Sequence, residues 1–184
     1  MGQEGIVLAF GEAVTDTGNT TQQYPLGTIR MEETSDAVGI ETYRYVYFTN
    51  GAGNVAAAAG ALCYRGVTQA DPWDVTSDVS DVDSAFAVGV FQSVLVDATY
   101  GWVKTKGYEA SLLRATGVKW AKGDQLHAAP AATDDGKAER IDIAATTKVS
   151  GAELRTALEA PVGFAAAASA STTNTTGAAY IDLE

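Results

Sequence analysis

At 184 residues and 19.1 kDa the chain is long enough for one domain with its own core, and a lone cysteine, Cys63, excludes an intramolecular disulfide framework. A net charge of −11 and a pI near 4.4 oppose binding to nucleic acid phosphates and to anionic membrane surfaces. Nineteen glycines and only 12 lysines plus arginines argue against long surface helices and for short strands joined by turns.

The first ten residues, MGQEGIVLAF, start acidic and carry too short an apolar run for a secretory signal. The most apolar later stretch, Val55 to Tyr64, is about half of what a bilayer-spanning helix needs, so a soluble chain without a membrane partner is expected. Residues 11 to 23 are small and polar with no hydrophobic period. Residues 1–23 are therefore expected to be an extended N-terminal arm that contributes nothing to the core and can be deleted without unfolding the rest, which leaves 24–184 as the β-rich domain, with 24–70 as a candidate subdomain.

The segment from Tyr24 to Met31 predicts a strand beginning just after Pro25. From Ile40 to Phe48 the residues alternate, with Tyr43, Tyr45 and Tyr47 on one face and Thr42, Arg44, Val46 and Phe48 on the other, as in a strand. Asn50-Gly51 suits a hairpin turn, which predicts a return strand near Ala61 to Val67, with a helical turn at Val55 to Ala59 as the alternative. Asp71, Asp74, Asp78, Asp81 and Asp83 crowd around Trp73 and predict a solvated loop. Further strands are expected at 85–96, 101–106, 110–115 and 124–128, separated by Gly101, Gly107, Gly117 and Gly123. Ser150 and Glu153 have capping-box spacing, so a short helix through Leu154, Ala157 and Leu158 should stop at Pro161. Strands at 162–166 and through Tyr180 close the chain. The expected fold is mostly β: a small barrel or sandwich with one short capped helix and an N-terminal arm.

Chemistry-bearing patterns are sparse. Gly51-Ala52-Gly53-Asn54-Val55-Ala56 follows a strand, as a dinucleotide-binding turn does, with Asp71 or Asp74 about twenty residues on, but a first strand of that fold is buried on both faces and this one carries Glu41, Arg44 and three tyrosines. The five aspartates could offer oxygen ligands to calcium but lack the glycine turn and terminal glutamate of an EF-hand loop. His127 is the only histidine and has no GxSxG, HExxH or CxxC companion. No catalytic residue, metal or cofactor is therefore assigned. Trp102 and Trp120, between glycine-rich strand segments, are expected in the core, whereas Tyr43, Tyr45 and Tyr47 fit a core edge or a contact with a neighbour equally well.

The run Ala87 to Phe91 (AVGVF), followed by Tyr100 to Gly107 (YGWVKTKG), Lys122 to Leu126 (KGDQL) and Pro161 to Phe164 (PVGF), resembles small tailed-phage head proteins of the decoration, or cement, type. Tyr24 to Gly27 (YPLG) and Tyr43 to Phe48 (YRYVYF) are similar to segments of such virion proteins. The resemblance implies a β-rich protein on the outer capsid surface of the virion, bound to the major capsid protein, often trimeric and without catalytic residues. Tyr24, Pro25, Arg30, Tyr43, Tyr45 and Tyr47 are the expected contact residues. A head-fibre or tail adhesin for a host surface glycan, and a small dinucleotide-dependent enzyme, are the rival expectations.

Overall fold

The computed structural model describes residues 11, 13–33, 39–51, 53–66, 72–79, 87–129, 134–141, 161–169 and 175–183. The proposed helix at 150–160, the first ten residues, and Asp71, Asp81 and Asp83 lie outside them. The strands are β1 (Ile29–Glu33), β2 (Ile40–Phe48), β3 (Leu62–Arg65), β4 (Asp74–Thr76), β5 (Ala87–Phe91), β6 (Thr99–Leu113), β7 (Gln125–Ala128), β8 (Ala138–Arg140), β9 (Pro161–Ala165) and β10 (Thr176–Asp182). The protein is mostly β, as its composition predicts.

Five strands close into a barrel. β2 runs parallel to β4, and the antiparallel pairs β4–β3, β3–β5, β5–β6 and β6–β2 complete the ring. Strand alternation sends one set of side chains inward: Val46 and Phe48, Cys63, Val75, Phe91 and Val103 share one buried cluster with Leu95, Ala57 and Ala61 at its margins. Phe48 meets Phe91 edge-on at 5.3 Å. A five-stranded ring leaves so little room that a Cβ on inward-facing Gly89 would lie 2.5 Å from Val103 Cγ2.

A second layer grows from β6. Its first half is a stave of the barrel beside β2 and β5, and its second half carries β10, followed in order by β9, β7 and β8. The outward residues Leu62, Tyr64 and Val90 of the barrel pack with Leu112, Trp120, Leu126, Val162, Ala179 and Ile181 into a second core between barrel and outer sheet. Trp120 is buried there and Trp102 under a third, aromatic cluster, as expected for both.

Several boundaries differ from expectation for identifiable reasons. Pro25 begins a turn rather than a strand: the Thr28 amide donates to the Pro25 carbonyl at 3.1 Å and Gly27 takes φ +77°, a type II geometry that delays β1 to Ile29. Asn50-Gly51 does turn the chain, yet β3 pairs with β4 and β5 instead of returning along β2, because both edges of β2 are occupied by β1, β4 and β6. The aspartate-rich stretch is not wholly a solvated loop: β4 lies within it, Val75 is in the barrel core, and Asp78 is buried. Gly101 and Gly107 do not separate strands but lie inside one, β6, where a bulge at Thr105 opposes Thr42 and Tyr43 and Gly107, just beyond it, adopts φ +119°. The short strand β8 was not expected at all.

Candidate interaction surface

The outward face of β2 is set by its register with β6, which places Tyr45 opposite Trp102 and Tyr47 opposite Tyr100. Tyr45 and Trp102 rings lie 5.1 Å apart, and Tyr24 stands edge-on to Tyr45, also at 5.1 Å. Tyr43, Tyr45 and Trp102 are buried under Val14, Tyr24 and Leu26. The polar segment before them is tied down as well: Asn19 and Tyr100 exchange backbone hydrogen bonds at 2.9 and 2.8 Å, and Ser93 Oγ donates to the Asp16 carbonyl at 2.6 Å. Residues 13–23 thus take part in covering a core, against the expectation of a core-free arm. Of the six expected contact residues, Tyr43 and Tyr45 are occupied by the chain's own residues; Tyr24, Arg30 and Tyr47 are half-buried; Pro25 is exposed.

Beside this face sits an enclosed ionic cluster. Lys104 Nζ lies 3.1 Å from Glu41 Oε1, 3.2 Å from Glu109 Oε2 and 2.6 Å from the Tyr108 carbonyl, which uses its three donors. Glu109 also accepts from Gln92 Nε2 at 3.2 Å and from the Ser111 amide at 3.0 Å, and the Tyr43 hydroxyl donates to Glu41 Oε2. Burial, with Glu41 next to it, pushes the Tyr43 phenol well above its ordinary range, so it stays a donor. These groups join β2 to both halves of β6 across the Thr105 bulge and Gly107. With its hydrogen bonds made internally, the cluster clamps a bend.

The other candidates are scattered. His127 on β7 faces Glu139 on β8, Nε2 to Oε1 3.3 Å, and burial lowers its pKa while the backbone around Ala128 and Arg140 opposes that shift. Among the described residues Gly51 to Ala61 form turns and no helix, so Gly53 does not open a helix N-terminus; its amide donates to Asp78 Oδ2 at 2.6 Å. Asp74 is a strand residue, and among the described residues no three His, Cys, Asp or Glu side chains converge as a metal ligand set. No described helix is long and apolar enough to cross a membrane.

Among the described residues, large apolar side chains stand exposed on regular strands at two places. On the β1–β2 ribbon Ile29, Met31 and Ile40 are 45, 68 and 63% exposed. On the outer sheet Tyr108, Tyr180 and Phe164 form a row across β6, β10 and β9, with Tyr108 and Tyr180 rings 5.6 Å apart and Phe164 and Tyr180 both about half exposed. Neither place was singled out from sequence, although Ile29 and Met31 alternating with Arg30 and Glu32 carried the signal for the first. No protein-family model matches the chain, and no curated protein sequence matches it.

Proposed function

We propose that this is a structural virion protein that binds the outer surface of a phage capsid through the major capsid protein and reinforces it. The observation that carries the reading is where the apolar side chains lie: the barrel is filled by its own residues, while Ile29, Met31, Ile40, Phe164 and Tyr180 stand on ordered strands facing outward. Ordered exterior apolar groups give a protein surface rigid places to meet. The charge of −11 suits the outside of a DNA-filled shell better than its lining. Many modest contacts repeated by capsid symmetry then add up without any deep site. Mixing the purified chain with capsids that lack it tests the reading: cosedimentation at micromolar concentration and a higher capsid disruption temperature are expected, and no cosedimentation would overturn it.

The aromatic row Tyr108–Tyr180–Phe164 favours one rival, an adhesin stacking its rings on a host glycan. Binding to host envelopes without binding to capsids would select that rival.

A further inference from the structure

We propose that the outer edge of β1 is a two-fold docking strand for a second copy of this chain, pairing antiparallel about Met31 to continue the sheet across a dimer. Among the described residues β1 is paired only with β2. Tyr45 turns both backbone groups to the β1 side, its amide donating to the Thr28 carbonyl at 3.0 Å and its carbonyl accepting from the Gly27 amide at 2.8 Å, so Tyr43 and Glu41, opposite Arg30 and Glu32, face β1 in the same way. Because antiparallel pairs alternate, Arg30 and Glu32 direct their backbone groups to β2, and Ile29, Met31 and Glu33 direct theirs away from it. An edge with three outward amides and three outward carbonyls is a template for another strand.

The side chains select what that strand is. A two-fold axis at Met31 brings Met31 opposite the partner's Met31, Ile29 opposite the partner's Glu33, and Arg30 opposite the partner's Glu32. The last pair occurs twice and sets opposite charges face to face, whereas no net repulsion arises at the axis. Arg30 is already held by its ion pair with Glu32 and lies 5.6 Å from the Trp102 ring centre, so little side-chain freedom remains to be lost. On the opposite face the two Met31 side chains meet at the axis, each with Ile29 beside it along β1 and Ile40 diagonally across the ribbon, all exposed in the single chain, while Glu33 borders this apolar centre on either side. A strand whose own sequence supplies the complementary charges in the complementary register fits a copy of itself, in an isologous contact that closes at two.

The test is sedimentation of the full chain from micromolar to submillimolar concentration at physiological salt, where the net charge is screened beyond about 8 Å. A concentration-dependent dimer is expected. Met31→Pro removes an outward amide while leaving the β1–β2 hydrogen bonds in place, and it should weaken the dimer at least about tenfold by deleting two bonds across the axis. Met31→Lys, which sets like charges opposite each other, should do the same and serves if the proline variant loses its far-ultraviolet dichroism. A monomer throughout, a closed trimer, or a dimer indifferent to both substitutions would overturn the proposal. Capsid binding plays no part in this measurement, so the two readings fail separately.

Discussion

Lys104 is the residue on which most of the enclosed polar chemistry turns. Its side chain is 6% exposed and faces Glu41 and Glu109, themselves 14 and 11% exposed, so removing the ammonium leaves two carboxylates confined together. Lys104→Met should cost about 3–5 kcal/mol in urea unfolding. Tyr43→Phe removes one neutral donor to Glu41 and should cost about 1–2 kcal/mol, with the β-sheet dichroism of both variants unchanged before the transition. His127 makes a pH-dependent contribution of known sign. Burial holds its folded pKa below the ordinary 6.5, so the unfolded chain takes up the proton first: the contribution is fully present above pH 6.5 and is lost as pH falls towards the folded value. Glu139 opposes it, since burial raises its pKa from 4.5 and its share of stability is lost as pH rises through the raised value. His127→Gln should therefore flatten the decline of melting stability just below pH 6.5, by at most about 1.4 kcal/mol per pH unit. Imidazole NMR titration of the parent chain should report protonation below pH 6.5.

At the scale of strands, alternation was legible and partnership was not. The bounds of β2 follow directly from the Tyr43, Tyr45, Tyr47 period, and β7 and β9 fall within a residue of expectation because each has a buried face. Glycine was misread. Gly101 and Gly107 look like punctuation in a sequence, yet Gly101 lies in β6 because Leu95 packs where its Cβ would be, at 2.7 Å, and Gly107 because the strand bends there. Close approach and turn formation use the same residue, and only the three-dimensional neighbour distinguishes them. The β2–β3 hairpin failed for a related reason: a local turn signal says that the chain reverses, not which strand will take the free edge. Gly107→Ala combines φ +119° with a Cβ 2.9 Å from Glu41 Cγ, and it should destabilise by about 2 kcal/mol or more, read as an earlier urea midpoint.

For the whole molecule, the aromatic face shows how a patch that looks like an interface in one dimension can be satisfied within the chain. Tyr43 and Tyr45 suit either a neighbour or a core edge, and residues that are polar in sequence supply the cover through Val14, Tyr24 and the Asn19 bridge. Deleting residues 1–23 should accordingly lower stability by about 2 kcal/mol, roughly 4–8 °C in Tm, and shift tryptophan emission to the red as Trp102 meets water. An unchanged melt would mean that Tyr24 and Leu26 suffice as cover. β6 has a mechanical meaning too. As one strand shared by both layers, it would pass a tug on the outer sheet into the barrel as shear along many ladder bonds at once, whereas a pull across it would part them one after another. A body built this way is stiff along one axis and yielding along another, and its orientation under load would decide how much strain it could share with whatever it is fastened to.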